Sequence, residues 1–206
     1  MEKLTFLILF LSVPSLATLG VDVSQYTNVF SCLVQNGYTF SIIRGYTSSG
    51  YVDPNVVSNI NNAWNGGMSY VDVYLFPCVP CGNPTTQANN LVSALNGVNY
   101  GMIWIDVETY AWSSSQSANQ NFILTMVNAL QGLGAIVGIY SNYYNWQSIV
   151  GLNWSGVSSL PLWYAHYDNN PSFSDFVSFG GWSSPAIKQY AGDATVCGAG
   201  VDLNYY

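Results

Sequence analysis

Positive charge is what this chain most lacks: Lys and Arg number three in 206 residues against ten Asp and Glu, for a net charge of −7. No basic face exists to neutralise phosphates, so nucleic acid is excluded as a partner. Charged residues of all kinds make up 6% of the chain, where a soluble domain usually has about a quarter. Asn, Ser, Gly, Thr and Tyr must therefore cover the surface, and each ionisable side chain is informative. Histidine occurs once, as His166. With one His and no second Cys-x-x-Cys, a zinc site has too few ligands at close spacing, and no metal or cofactor is called for. Long apolar runs are also missing: past the N-terminus nothing approaches the roughly 18 residues that span a bilayer. No Pro/Ser-rich linker, charge block or repeat divides the chain, and its 50% hydrophobic content suits one domain with a substantial core.

At the N-terminus, Met1-Glu2-Lys3 precedes an apolar run from Leu4 to Val13, then Pro14 and Ser15-Leu16-Ala17. Small residues at the positions a signal peptidase reads predict a secretory signal cleaved after Ala17, leaving 18–206 as the mature domain. An uncleaved anchor is the alternative, but the run is too short to span comfortably. No membrane association is expected after cleavage, and the mature protein is expected to be a monomer. Four cysteines, Cys32, Cys78, Cys81 and Cys197, fit an oxidising compartment and allow three disulfide pairings. Cys78-Val-Pro-Cys81 also has the spacing of a redox pair or half a zinc site, though a structural disulfide fits better.

Eight segments rich in Val, Ile and aromatic residues read as strands: Val21 to Gln25, Phe40 to Arg44, Tyr70 to Phe76, Met102 to Glu108, Ala135 to Tyr140, Leu162 to Tyr167, Ala186 to Tyr190 and Val201 to Asn204. Helical periodicity lies between several of them. Asp53 as N-cap and Pro54 open one helix, Asn83 and Pro84 a second, and Ser115 to Gln131 forms a third. Strand and helix in alternation predict a parallel sheet, and eight strands an α/β fold of the (β/α)8, TIM-like barrel type. From Gly151 onward helical periodicity is poor, so the barrel should be irregular there, with loops or a hairpin replacing helices.

The densest chemistry is Met102-Ile-Trp-Ile-Asp106-Val-Glu108. Alternation puts Met102, Trp104, Asp106 and Glu108 on one face, with two carboxylates at the C-terminal end of a central strand, where barrel enzymes place catalytic groups. Mutual repulsion and an apolar setting should keep one of the pair protonated, as a general acid must be. Asp22 and Asp202 each sit in an otherwise apolar strand, and closure of the barrel would make those strands neighbours. Each has a bland reading as a strand-end cap or a partner for Arg44. Together, four acids beside aromatic side chains are the constellation of a glycosidase.

Gly20-Val-Asp-Val-Ser-Gln25, Ile105-Asp-Val-Glu108, Gly138-Ile-Tyr-Ser141, Leu162-Trp-Tyr-Ala-His-Tyr167 and Val201-Asp-Leu-Asn-Tyr205 resemble, in order, the motifs of glycoside hydrolase family 25, the Chalaropsis-type lysozymes. The resemblance runs from about Leu19 to the C-terminus, and the cysteine-bearing stretches resemble its amoeba and nematode branch. It implies catalytic roles for Asp22, Asp106 and Glu108. Glu108 would be general acid and base, and Asp106 would orient the substrate's 2-acetamido group. The same resemblance implies substrate contacts for Asp202, Tyr74, Tyr140, Trp163, Tyr164 and Gln189, with a core role open for some of these aromatics. The implied substrate and partner is the glycan strand of peptidoglycan, cut by a secreted or vacuolar β-1,4-N-acetylmuramidase. Arg44 and Leu75 depart from bacterial members, which often have Lys and His there. His166 reads as structural. A chitinase-like hydrolase is the enzymatic alternative, although the fuller D-x-x-D-x-D-x-E run is absent, and an inactive sugar-binding barrel is the other. Barrel closure would bring the region after the first strand to the region before the last, predicting disulfides Cys32–Cys197 and Cys78–Cys81.

Overall fold

β-Branched and aromatic residues fill short segments that alternate between two apolar environments, and this builds the sheet. A computed structural model describes residues 18–206, so the cleavage expected after Ala17 lies outside the described residues. Elements run β1 (Leu19–Val23), α1 (Phe30–Gln35), β2 (Tyr38–Tyr46), α2 (Val56–Asn65), β3 (Tyr70–Leu75), α3 (Pro84–Ala94), β4 (Met102–Asp106), α4 (Gln116–Gly132), β5 (Ile136–Ser141), α5 (Tyr143–Ile149), β6 (Leu162–Ala165), β7 (Ile187–Val196) and β8 (Ala199–Tyr205). The eight strands close into one barrel in sequence order. All eight expected strands are present, and no helix follows Ile149.

Direction is where the barrel departs from a fully parallel one. Neighbours from β1 to β7 are parallel, but β8 runs antiparallel to both β7 and β1. A hairpin replaces the last crossover: Cys197 and Gly198, at φ 55° and 79°, separate β7 from β8. Two residues with positive φ are what a tight hairpin loop requires. The antiparallel register sets Asp22 directly opposite Asp202.

Alternation divides the side chains into two cores. Phe40, Ile42, Tyr74, Trp104, Tyr140, Trp163, Ala165 and Ile187 fill the barrel interior. Ile43, Val73, Ile103, Ile105, Val107, Ile139 and Leu162 pack outward against Ile60, Leu91, Ile123 and Leu130 of the helices. Interior Trp104 needs space on the opposing strand, and Gly138 provides it: a Cβ there would lie 2.4 Å from the indole. Asp72 holds the same ring by accepting the Trp104 Nε1–H at 2.9 Å and the Met102 N–H at 2.8 Å.

Helix starts follow the expected chemistry in two cases of three. Asn83 and Ser115 cap α3 and α4 with their side chains. Asp53 does not cap α2, which begins after Asn55. Its Oδ2 accepts Arg44 Nε–H at 2.7 Å while Oδ1 accepts the Asn55 N–H at 2.9 Å, so the carboxylate anchors the turn before α2 and not the first turn of the helix. Cys32 of α1 is bonded to Cys197 at the hairpin tip, across 165 residues, and Cys78 to Cys81. The long bridge therefore ties the end of the chain to its beginning, as barrel closure predicted. No helix among the described residues is long and apolar enough to cross a membrane.

Candidate active site

Strands β1, β4 and β8 carry the acids to one mouth, and β7 adds Gln189. Asp22 and Asp202 are ladder partners, and Gln189 Nε2 of β7 donates to the Oδ2 of each, at 2.8 and 3.2 Å. Asp106 ends β4 opposite Tyr140 of β5. Tyr140 and Tyr167 hydroxyls both donate to Gln189 Oε1, at 2.7 and 2.8 Å. Asn204 Nδ2 gives Asp22 Oδ2 a second hydrogen bond at 2.8 Å, and Trp163 Nε1–H donates to Asn204 Oδ1 at 2.8 Å. Glu108, two residues beyond Asp106 and just past the strand, opens onto a cleft of about 620 Å³. Tyr140, Asn142, Tyr143, Tyr144 and Tyr167 line that cleft with it. A second pocket of about 250 Å³ on the hairpin side is lined by Asp22, Tyr74, Asp193 and Asp202.

Among the described residues no cation balances these carboxylates: Arg44 is engaged by Asp53, and Lys188 by Asp168 and Asp175. Burial therefore dominates. It pushes the Asp22 carboxyl up to about 7, with repulsion from Asp202 added and hydrogen bonds from Asn204 and Gln189 opposing. Asp106 is raised well above the usual range by burial, then by Glu108 and Asp22. One of its oxygens, Oδ1, is buried without any hydrogen-bond partner in the protein. Glu108 is raised by burial and by Asp202. Of the two expected causes, the apolar setting leads for Glu108, and the repelling charge is that of Asp202 where Asp106 is the neighbour the sequence suggests. Asp202 is raised by burial too, against a hydrogen bond from the Asp193 N–H.

Of the other residues singled out from sequence, Tyr74 and Tyr140 face the interior at the mouth. Trp163 also points inward but is only 2% exposed, wedged 4.5 Å from Tyr140 and 6.1 Å from both Tyr74 and Trp104. Its adjacent Tyr164 turns to the outer core, donates to Asp175 Oδ2 at 3.3 Å and meets only the flank of the cleft. Gln189 is 2% exposed with its amide engaged at both ends. Trp163 and Gln189 are thus placed to support the site from beneath, because neither has surface to offer a sugar. Asn204 and Tyr167 were missed, although alternation carries the signal: Asn204 follows Asp202 by two, and Tyr167 follows Trp163 and Ala165 by twos. Asn142, Tyr143 and Tyr144 open α5, a seven-residue helix too short to declare itself by periodicity.

His166, Asp168 and Asp175 cluster on the flank of the larger cleft. Buried Lys188 Nζ donates to Asp168 at 2.8 Å and Asp175 at 2.7 Å, and His166 Nδ1 bonds Asp175. An ammonium already occupies the place a metal ion would take. The group is an ion-pair network fastening the β6–β7 loop.

Acids at the mouth of an α/β barrel, beside a cleft walled by tyrosines, make the arrangement of a glycoside hydrolase. A family model described as lysozyme-like protein 1 matches residues 14–190. The chain is 47% identical to a probable GH family 25 lysozyme 4 of Dictyostelium discoideum, over 98% of this chain and 96% of the relative. It is 42% identical to lysozyme-like protein 5 of Caenorhabditis elegans, over 97% and 96%. The structure of a muramidase from Trichobolus zukalii superposes with a TM-score of 0.76 at 25% identity, covering 91% and 92% of the two chains. The chain belongs to glycoside hydrolase family 25, the family of these lysozymes.

Proposed function

We propose that the protein is a secreted lysozyme, a β-1,4-N-acetylmuramidase that hydrolyses bacterial peptidoglycan in a digestive or antibacterial setting. The observation that carries this reading is the pairing of Glu108, raised by burial and open to the cleft, with Asp106, whose buried Oδ1 lacks any partner. Glu108 is the general acid: it gives its proton to the leaving glycosidic oxygen and afterwards takes one from water. Asp106 Oδ2, which unlike Oδ1 is not closed off and makes no hydrogen bond among the described residues, accepts the N–H of the 2-acetamido group. That approach supplies the hydrogen bond the protein leaves unmade and favours the ionised carboxylate. The acetamido carbonyl oxygen then attacks the anomeric carbon as the glycosidic bond breaks, and water opens the resulting ring with retention. Tyr140, Tyr143, Tyr144 and Tyr167 offer ring faces to the sugars along the cleft.

Secretion as an expectation is supported by the apolar N-terminal segment ending at Ala17 and by two disulfides. The mature domain starts at Thr18 on this reading, acts as a monomer, and is found outside the cell or in a digestive or phagosomal lumen. Digestion of purified peptidoglycan, followed by identification of the new reducing end, tests the activity. Muramic acid is expected. Glucosamine at that end would indicate another glycosidase, and binding without cleavage a sugar-binding barrel.

A further inference from the structure

Asp22 accepts two amide N–H groups on a single oxygen, and a chain of fixed partners leaves it no other arrangement. The Trp163 indole N–H can only donate, so Asn204 must turn its carbonyl oxygen toward it and its amide N–H toward Asp22. Gln189 turns the same way, its oxygen toward the Tyr140 and Tyr167 hydroxyls and its amide protons toward Asp22 and Asp202; a hydroxyl serves either end of an amide, so its sense is set by the Asp202 carboxylate, which only accepts. An oxygen receiving these two N–H bonds cannot itself hold a proton aimed at them. Asp22 Oδ1 makes no hydrogen bond among the described residues, both amide bonds falling on Oδ2, and Asp22 lines the 250 Å³ pocket.

Asp202, opposite it, differs in one respect. Both its oxygens accept, Oδ1 from the Asp193 N–H at 2.7 Å and Oδ2 from Gln189 at 3.2 Å. Two carboxylates facing each other across a ladder repel, and one proton between them relieves the repulsion. Asp202, with donors on both oxygens, keeps the charge, and the proton goes to Asp22. The other ionisable groups around Asp22 are Asp106 and Glu108 from β4 and its end, Tyr74 from β3 and Tyr167 just beyond β6. None is a cation, and burial acts in the same direction.

On the glycosidase reading of the site, we propose that Asn204 and Gln189 are positioning residues that fix Asp22 as a hydrogen-bond donor. Its Oδ2 is turned to the two amides, and its Oδ1 carries the proton toward an acceptor oxygen of the bound sugar. Asp22 then needs its proton and not its charge. An asparagine there would seat its carbonyl against Asn204 and Gln189 and offer its own N–H where the Oδ1 proton was.

Three measurements test this. In protein labelled with 13C at the aspartate carboxyls, the resonance lost in Asp22→Asn identifies Asp22, and its shift should report a protonated acid at pH 5. An ionised Asp22 at that pH overturns the proposal. In release of reducing ends from peptidoglycan at pH 5, Asp22→Asn should lower kcat by less than about tenfold. Asp22→Ala should lose about 10², the scale of removing one preorganised donor. Equal losses would overturn the donor role. Asn204→Asp can donate to Asp22 only while protonated, so the upper limb of its pH–rate profile should move to lower pH by about one unit or more. An unmoved limb overturns the positioning role of Asn204. Wild-type protein that releases no reducing ends would instead overturn the lysozyme reading, and the carboxyl resonance would still decide the state of Asp22.

Discussion

Asp22, Asp106, Glu108 and Asp202 at the barrel mouth meet amides, phenols and one another, while Asp168 and Asp175 on the β6–β7 loop meet Lys188 and His166. Residues of one chemical type are driven in opposite directions by this difference. The mouth acids are raised, chiefly by burial. For the loop acids burial also pushes upward and is the largest single influence, but hydrogen bonds from Lys188, from His166 to Asp175 and from backbone N–H groups, together with the Lys188 charge, outweigh it and hold both carboxyls below the usual range. Arg44 and Lys188, the cationic side chains among the described residues, each have a carboxylate partner away from the mouth acids. Keeping cations from the mouth preserves protonated carboxyls for proton donation, and the loop uses them for fastening.

Removing the acid at the mouth should have the largest effect. Glu108→Gln keeps the shape and cannot give a proton, so turnover on peptidoglycan should fall by about 10² or more with an unchanged melting temperature. Asp106→Asn should lose less, since an amide can still make one hydrogen bond to the substrate. Asp168→Asn on the loop should change turnover by less than about threefold. Glu108→Gln retaining more than about a tenth of wild-type activity would remove the general-acid assignment.

Breaking the loop network should act on stability. Lys188 is fully buried with its ammonium held by two carboxylates, so Lys188→Met leaves those charges without their partner. A cost of about 3 kcal/mol is expected, at the lower end for a broken buried pair because Asp168 and Asp175 keep 24% and 19% of their side-chain surface exposed. Thermal unfolding should move down by on the order of 10 °C. A shift under about 2 °C would mean that the ion pairs contribute little to holding the loop.

The shape of this site was legible in the chain to the extent that alternation and residue type determine it. Asp106 and Glu108 share a face because they are two apart, and Trp163 alone of its pair turns inward for the same reason. Strand direction has no such signature. Nothing in Val201-Asp202-Leu203-Asn204 distinguishes an antiparallel strand from a parallel one, and the hairpin loop has Cys197-Gly198 where Asn-Gly or Asp-Gly would have announced it. Asp53 reads as a helix cap by position, yet it holds Arg44 of β2 and the turn before the helix, which spacing does not announce. Whether an aromatic touches sugar or core depends on depth within the barrel, which spacing does not encode.

Stability against pH sharpens the contrast because the two sets have opposite signs. A raised carboxyl stabilises fully below its unfolded pKa, 3.8 for Asp, and that contribution is lost as pH rises through the folded value, about 7 for Asp22. A lowered carboxyl, as in Asp168 and Asp175, stabilises above 3.8, and its contribution is lost as pH falls through the folded value. The melting temperature should therefore peak near pH 4 and decline by several degrees toward pH 8. Asp22→Asn should flatten the decline, and Lys188→Met should leave it while weakening the acid-side fall. A melting temperature that rises steadily from pH 4 to pH 8 would contradict the upward direction of the mouth acids.

The smallest expected effect separates the charge of the whole protein from that of the mouth. Activity needs protonated Glu108, so the rate should fall as pH rises through its raised pKa, and the need for ionised Asp106 sets the acid limb of a bell-shaped profile with an optimum on the acid side of neutral. The net charge of −7 adds a second cause, since walls rich in anionic polymers would repel the protein until its exposed carboxyls protonate. The two causes respond differently to substrate and salt. On a soluble muropeptide the wall's charge is absent, and the optimum should stay acid, within about one pH unit of that on whole cells. Added salt should move the whole-cell optimum upward toward the muropeptide value, because screening weakens repulsion without reaching the buried acids. An optimum on muropeptide that shifts to neutral would assign the acid preference to repulsion and detach it from Glu108, leaving the raised carboxyls of the mouth without their kinetic consequence.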